Sequence, residues 1–299
     1  MRRIADISLL MVALIWGITF VMVQNAIAFL PPLIFNGVRF LLAALILYII
    51  IFIKKGTSGF TKRTIINGTV LGFCLSIGYA FQTVGLLYTT VSKTGFITGL
   101  SVVLVPLLSF VFLKKLPAPA TAAGSVAAAV GLYLLTASGE STFNFGDFLV
   151  LICAFGFAFH IVLTDIFTSQ SSALALTAVQ ISVVSLLCFV SGLMLEDWKS
   201  TLTLNNLLNI EVFTALLVTA LLATAAAFFI QTYAQKFTTP TRVALLLTME
   251  PVFAAVTAYL WAGERLAASG AAGCLLIFLG MLLSEVPLPK RFIPKEIRR

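Results

Sequence analysis

Long apolar runs separated by short polar connections repeat along the whole chain. Most of these runs approach or exceed the roughly 20 residues that an α-helix needs to cross a bilayer. Because the charged residues are concentrated in the connections, the pattern predicts an all-α polytopic membrane protein. The ten predicted transmembrane helices are residues 7–24, 32–53, 65–88, 95–113, 119–137, 145–164, 173–195, 211–235, 243–262 and 266–284.

Composition supports this interpretation and excludes several classes of function. Of the 299 residues, 60% are hydrophobic and 10% are charged, whereas a soluble domain has about a quarter of its residues charged. The single histidine and the four cysteines show no ligand spacing, so we expect no metal, no cofactor and no disulfide framework. The sequence has no phosphate-binding loop ending in Gly-Lys-Ser/Thr, which argues against an ATP-driven pump. It also shows no group of catalytic residues, so we do not expect an enzyme.

The positive charge has a distribution typical of membrane proteins. With the N-terminus inside and the predicted spans alternating, 15 of the 19 basic residues fall on the inner side, as the positive-inside rule requires. The sequence therefore predicts that both termini are cytoplasmic, and the net charge of +8 needs no nucleic-acid partner. The inner basic residues are Arg2, Arg3, Lys54, Lys55, Lys62, Arg63, Lys114, Lys115, Lys236, Arg242, Lys290, Arg291, Lys295, Arg298 and Arg299.

The sequence also matches itself at two closely similar offsets. No gap is needed at an offset of 149 from about residue 80 to residue 136, and an offset of 141 places the first two spans on the sixth and seventh. The first offset pairs Gln82 with Gln231, Lys93 with Arg242, Gly124 with Gly273 and Gly131 with Gly280; the second pairs Asp6 with Asp147 and Arg39 with Gln180.

This repeat predicts two halves of five spans each. We place the first half at residues 1–139 and the second at residues 140–286, followed by a basic cytoplasmic tail at 287–299. Since five is odd, the second half enters the membrane with the opposite orientation. Inverted repeats of this kind are typical of secondary transporters, which expose a site between the halves to each side in turn. Chance similarity between hydrophobic helices is the alternative, and the constant register argues against it.

Three stretches carry a resemblance to a known family. They are "ALIWGITFVMVQNAIAFLPPLIFNGVRFLLAALIL" (13–47), "GLLYTTVSKTGFITGLSVVLVPLLSFVFLKKLP" (85–117) and "TRVALLLTMEPVFAAVTAYLWAGERLAASGAAGCLLIFLGMLL" (241–283). Together they resemble the drug/metabolite transporter superfamily, in its ten-helix branch with two EamA domains. The resemblance implies a secondary transporter of the bacterial inner membrane, often an exporter of amino acids or other small metabolites, with a central cavity between its halves.

One departure from symmetry accompanies this resemblance. The fourth span has about one helical turn more between Lys93 and Pro106 than the ninth span has between Arg242 and Pro251. The two faces of the cavity are therefore not expected to be symmetrical in detail.

Glu250 is the first candidate for contact with a substrate or a proton. It lies in the apolar run "LLLTMEPVFAA" (245–255), about ten residues from Pro240, hence roughly 15 Å into the membrane. A charge at this depth costs on the order of 3 to more than 10 kcal/mol, so such residues are usually functional. Pro251 should kink the helix and free a carbonyl beside Glu250, which suits an amine, a cation or a proton. Alternatively, Glu250 is protonated or paired and only fixes helix packing.

Arg39 and His160 are the other titratable candidates. Arg39 lies about seven residues from Pro32, roughly 10 Å from the outer end of its helix. It could attract a substrate carboxylate, or it could be a structural tie to Glu250 or to a helix carbonyl, or reach towards the headgroups. His160, five residues before Asp165, is either a hydrogen-bonded core residue or part of a proton relay.

Uncharged polar and aromatic residues complete the predicted site. Aromatic faces hold apolar or cationic solutes and amides fix a polar end, although each of these side chains could equally make a hydrogen bond between helices. The candidates are Trp16, Asn36, Tyr79, Gln82, Ser101, Gln231, Tyr233 and Thr248.

The expected partners are a small-molecule substrate and the lipid bilayer, with proton coupling as an option. Glycines in spans five and ten allow close approach of helices, either within the chain or in a homodimer. A passive facilitator and a non-transporting scaffold or receptor remain as alternative functions. Polar residues within the spans of both halves favour transport.

Overall fold

A computed structural model of the chain describes residues 1–54, 59–89, 91–114, 116–136, 143–261 and 267–285, and these residues contain no β-strand. The helices are α1 (Arg2–Ala26), α2 (Pro32–Ile53), α3 (Lys62–Gly85), α4 (Val91–Gly99), α5 (Ser101–Leu113), α6 (Pro119–Thr136), α7 (Phe145–Thr168), α8 (Ala173–Leu195), α9 (Trp198–Thr201), α10 (Leu204–Leu208), α11 (Ile210–Val218), a π-helical segment (Thr219–Ala226), α12 (Ala227–Ala234), α13 (Pro240–Leu247), α14 (Met249–Trp261) and α15 (Ala268–Glu285).

Within the described residues, seven helices are long and apolar enough to cross a membrane. Two shorter apolar helices and the pair α13 and α14 occupy the positions of the other predicted spans. The prediction of an all-helical protein that crosses the bilayer several times is therefore confirmed. The seven helices are Arg2–Ala26, Pro32–Ile53, Lys62–Gly85, Lys93–Leu113, Phe145–Thr168, Ala173–Leu195 and Ile210–Ala234.

The outer surface of the helix bundle is apolar and its interior contains polar side chains. Phe73, Leu186 and Leu275 lie in the middle of their helices and are 58%, 62% and 58% exposed. Asn36 and Gln180 are fully buried. This distribution suits lipid, because the hydrocarbon chains contact apolar side chains while polar groups find partners between the helices.

Two of the helical runs are interrupted at equivalent positions. Leu100 separates α4 from α5, and Thr248 separates α13 from α14. With the 149-residue offset of the repeat, the two breaks fall within one residue of each other. Pro251 has no N–H for the carbonyl of Leu247, so the predicted distortion of this helix is confirmed. Pro106 lies inside α5 instead, in agreement with the asymmetry seen in the sequence.

Glycines bring α6 and α15 into close contact. A β-carbon on Gly280 would lie 2.6 Å from the carbonyl oxygen of Gly124, and one on Gly131 would lie 2.7 Å from that of Gly273. The backbones therefore approach more closely than any larger residue would permit. These glycines serve a contact within the chain, which is the first of the two roles predicted for them.

Between described residues, two ion pairs lie at opposite ends of the bundle. We call the end where α1 begins the near face and the end where α1 ends the far face. At the near face, Arg242 donates from Nε and Nη2 to both carboxylate oxygens of Asp6, at 3.0 and 2.9 Å. At the far face, the Lys93 ammonium lies 3.3 Å from Oδ2 of Asp147. The sequence predicts that the ninth span begins at residue 243, but α13 already includes Arg242, which is only 3% exposed and pairs with α1.

Candidate functional site

Aromatic side chains from five helices meet in the interior of the bundle. The ring of Phe228 in α12 lies 5.4 Å from that of Trp16 in α1, 5.9 Å from that of Tyr79 in α3 and 6.4 Å from that of Phe40 in α2. The Tyr79 ring also lies 5.3 Å from that of Phe157 in α7. Tilted and edge-to-face contacts of this kind are favourable. They form a wall that suits an apolar or cationic group.

Arg39 is held beside this wall by the π-helical segment. Its Nε donates to the Thr224 hydroxyl at 2.7 Å and its Nη2 to the Ala223 carbonyl at 3.4 Å. The same carbonyl accepts a hydrogen bond from the Trp16 indole at 2.8 Å, and the guanidinium lies 5.1 Å from the centre of the Tyr79 ring. The predicted tie to a helix carbonyl is present. All of these acceptors are neutral, so the positive charge of Arg39 is not balanced by a contact with a carboxylate among the described residues.

Glu250 lies at the start of α14, just beyond the helix break. A β-carbon on Gly17 would lie 2.7 Å from the backbone oxygen of Glu250, so Gly17 lets α1 pack closely against the helix that carries the carboxylate. The Glu250 side chain is deep in the bundle yet keeps part of its surface accessible. Its carboxylate has no hydrogen bond or ion pair with another described residue. Arg39 is near enough for its charge to act on that of Glu250 without contact.

Polar groups of α3, α4 and α7 lie on another side of the same region. The Gln82 amide donates to the Thr98 hydroxyl at 3.1 Å, and that hydroxyl lies 3.8 Å from the Cys153 sulfur. Cys153 lies in the neighbourhood of Glu250. Gln82 is therefore tied to α4 close to Cys153, and its contact with a substrate stays a prediction. In the part of the chain that the structure describes, no group of three His, Cys, Asp or Glu side chains could hold a metal ion.

Ser101 and Thr248 flank the two helix breaks. The Thr248 hydroxyl donates to the Ala244 carbonyl of its own helix at 2.8 Å, while Ser101 is half-buried at the start of α5. A β-carbon on Gly95 would lie 3.6 Å from the β-carbon of Pro251. The two interrupted helices therefore contact each other beside Glu250.

His160 belongs to a hydrogen-bonded chain in the core. Its Nε2 lies 2.8 Å from Oε1 of Gln180, and the Gln180 amide donates to the Thr232 hydroxyl at 3.2 Å. The imidazole is 1% exposed. Of the two roles predicted for it, these contacts support the hydrogen-bonded core residue.

The remaining sequence candidates lie away from the aromatic wall or only support it. Asn36 donates to the Thr83 hydroxyl at 2.9 Å and so ties α2 to α3. Gln231 donates to Gln235, the residue that follows the end of α12, at 3.5 Å. Tyr233 is 50% exposed on the outer surface, so its placement in the cavity is wrong. Its position on the face of α12 opposite the core explains the difference.

Several residues of this region were not predicted from the sequence. Phe228 and Thr224 were hidden among similar apolar and small residues of the eighth span. Asp6 and Asp147, the acidic residues of the two ion pairs, do have a signal in the sequence. They are paired by one offset of the repeat, and their basic partners Arg242 and Lys93 are paired by the other. Comparison of the two offsets could have suggested that they pair across the halves.

Comparisons with known proteins agree with this structure. The sequence pattern of the EamA-like transporter family matches residues 3–137 and 144–285. An uncharacterized transporter of Archaeoglobus fulgidus is 34% identical over 94% of this chain and 86% of its own length. A Salmonella typhimurium protein named "Probable amino-acid metabolite efflux pump" is 27% identical over 92% of each chain. A crystal structure with 16% sequence identity has the same fold, with a TM-score of 0.78 over 95% of this chain and 98% of that chain. The chain is thus a multi-pass membrane protein that belongs to the EamA-like transporter family.

Proposed function

We propose that this protein is a secondary transporter that exports small organic solutes, such as amino acids or related metabolites, by alternating access. The observation that carries the proposal is the pair of opposite charges, Glu250 and Arg39, that lie deep in the bundle beside an aromatic wall without forming a contact ion pair. Charged groups at membrane depth normally face a functional site. The name of the Salmonella relative supports efflux of an amino-acid metabolite.

The two charges suit the two ends of a zwitterion. The Glu250 carboxylate has accessible surface and accepts hydrogen bonds from an ammonium group. The Arg39 guanidinium binds a carboxylate in a planar, bidentate manner. Trp16, Tyr79 and Phe228 then contact the apolar part of the solute, as aromatic side chains do in most small-molecule sites.

We also propose that the chain crosses the membrane ten times as two inverted halves, 1–139 and 140–286. The helix breaks at Leu100 and Thr248 are related by the repeat, and one family match lies in each half. Interrupted helices in corresponding positions are typical of transporters whose site lies at the interface of inverted repeats.

The proposed location is the bacterial inner membrane with both termini in the cytoplasm. The excess of basic residues in the predicted inner connections supports this orientation. Glu250 is our candidate for proton coupling, because a desolvated carboxylate that binds an amine when ionised can bind a proton in its place.

The test is solute counterflow in liposomes that contain the purified protein. A pool of radiolabelled amino acids and related amines should exchange across the vesicle wall, and Glu250→Gln should lower that exchange at least about tenfold, since hydrogen bonds to charged groups contribute about 1.5–3 kcal/mol. Glu211→Gln, at the exposed start of α11, is the matched control and should exchange like the parent.

The outcomes separate the alternatives. No exchange of any pooled solute would favour a scaffold or receptor. Exchange that never drives accumulation in a pH gradient would indicate a passive facilitator. Normal exchange by Glu250→Gln with an unchanged pH dependence would remove Glu250 from both proposed roles.

A further inference from the structure

The two ion pairs connect the halves of the chain in a reciprocal way. Asp6 in α1, from the first half, pairs with Arg242 in α13, from the second half. Asp147 in α7, from the second half, pairs with Lys93 in α4, from the first half. The aspartates are related by the 141 offset and the basic residues by the 149 offset. Each face of the bundle therefore has one ion pair that joins the two halves of the chain.

Each ion pair holds the outer segment of an interrupted helix. Arg242 lies in α13, which ends before the break at Thr248, and Lys93 lies in α4, which ends before the break at Leu100. Glu250 lies two residues after the break at Thr248. At Thr248 the backbone hydrogen bonds are interrupted, because Pro251 has no N–H for the Leu247 carbonyl. At Leu100 the turn is distorted but keeps backbone hydrogen bonds to Phe96 and from Leu104. Distorted turns of both kinds are places where a helix bends and a short segment changes its direction. Release of either ion pair would therefore free a segment that lies between the central site and one face.

The two pairs differ in strength. The near-face pair is bidentate and its side chains are 4% and 11% exposed. In the far-face pair the Lys93 ammonium lies 3.3 Å from one carboxylate oxygen of Asp147, and the Lys93 side chain is 17% exposed. The Asp147 carboxylate also accepts hydrogen bonds from the Thr89 hydroxyl and the Asn144 backbone, so it stays in place without Lys93. Because a bidentate, buried pair is harder to separate, the near face is the more firmly closed.

We propose that these ion pairs are the two gates of the central site: Asp6 and Arg242 close it towards the near face, and Lys93 and Asp147 close it towards the far face. Transport would break one pair at a time. Both pairs are formed in the structure, and the near gate is the harder of the two to open. The transport cycle in this proposal rests on the proposed function. Access to the site, however, can be measured without any transported solute.

The experiment measures labelling of a cysteine placed at Ser101, beside the helix break and related to Glu250 by the repeat. A membrane-impermeant maleimide is applied to membrane vesicles of each orientation, and the labelling of the parent chain with its native cysteines is subtracted. A separate Arg63→Cys variant, with its cysteine exposed at the start of α3, shows which vesicles present the near face to the reagent. Arg242→Gln opens the near gate and Lys93→Gln opens the far gate in the Ser101→Cys background.

We expect Arg242→Gln to raise labelling from the near face at least about tenfold and Lys93→Gln to do so from the far face, because breaking a buried pair leaves a charge unpaired. Neutralisation of exposed charges, Lys62→Gln at the near face and Lys199→Gln at the far face, should change neither rate. The exchanged pair Asp6→Arg with Arg242→Asp should restore the low labelling of the near face, which distinguishes a gate from a misfolded variant.

Two results would overturn the proposal. One is labelling at the parent rate in both neutralised variants. The other is labelling from both faces after a single neutralisation, which would indicate general loosening of the bundle. If labelling changes as expected in the neutralised variants but the protein exchanges no solute in liposomes, the gate proposal is supported and the proposed transport function is rejected.

Discussion

The hydrogen bond between Arg39 and Thr224 offers the most direct test of how the site is built. In Thr224→Val, a methyl group of the same shape replaces the hydroxyl that accepts from Nε at 2.7 Å. The remaining hydrogen bond, from Nη2 to the Ala223 carbonyl, is long at 3.4 Å. The guanidinium would then depend mainly on its contact with the Tyr79 ring, which is weaker and less directional.

The expected magnitude follows from the charge of the donor and from its burial. A hydrogen bond to a charged group contributes about 1.5–3 kcal/mol, and Arg39 is only 4% exposed, so water does not replace the lost acceptor. Each kcal/mol corresponds to roughly 2–4 °C in a protein of this size class. We therefore expect the unfolding temperature of Thr224→Val to fall by about 3–12 °C.

The measurement is thermal unfolding of the purified protein in detergent, followed by loss of the monodisperse peak. Thr224→Ser keeps the hydroxyl and should unfold near the parent. Thr214→Val is the control for the substitution itself, because the Thr214 hydroxyl is exposed and bonds only within its own helix. Equal unfolding temperatures for Thr224→Val and the parent, or an equal loss in Thr214→Val, would refute the view that Thr224 positions Arg39.

Three further predictions test other contacts. Gly124→Val should destabilise the protein by about 1–3 kcal/mol or more through overpacking against α15, whereas Val126→Leu on the exposed face of α6 should not; both are read from thermal unfolding. Trp16→Phe loses the indole hydrogen bond to the Ala223 carbonyl and should lower stability by about 1 kcal/mol in the same assay. Burial raises the pKa of Glu196, against the opposing effect of two backbone N–H groups of α2. The folded protein therefore binds the Glu196 proton more tightly than the unfolded chain does. The stability that this proton contributes is lost as the pH rises through the raised pKa. Glu196→Gln should therefore flatten the dependence of unfolding temperature on pH over that range.

The positions of the helices could be predicted because hydrophobic pattern is a local property of the sequence. Within the described residues, each of the ten apolar segments coincides largely with helical structure, and Pro251 marks the distortion beside it. A proline acts on its own turn, so its effect needs no knowledge of neighbouring helices. The same locality explains why Glu250 could be recognised as unusual from its apolar context alone.

The partners of the polar residues could not be predicted in this way. Arg39 finds Thr224 and the Ala223 carbonyl, about 185 residues along the chain, and which helix carries the acceptor depends on how the spans pack. The π-helical segment that presents this carbonyl has no clear signal in a run of alanine, leucine and threonine. Tyr233 failed for a related reason: an aromatic residue on a transmembrane helix suits the lipid surface as well as a cavity, and only packing decides.

Because the hydrogen-bond partners of Arg39 are neutral, we can predict which kind of solute binds most tightly. Since Arg39 and Glu250 do not neutralise each other by contact, a zwitterion that supplies both counter-charges should bind more tightly than a ligand with one charge. A ligand that binds the folded state raises stability by RT ln(1 + [L]/Kd). An amino acid that exchanges in liposomes should therefore raise the unfolding temperature more than its decarboxylated amine or its deaminated acid at equal concentration. If the amine alone stabilises the protein as strongly as the amino acid, Arg39 is a structural tie and does not bind the solute carboxylate.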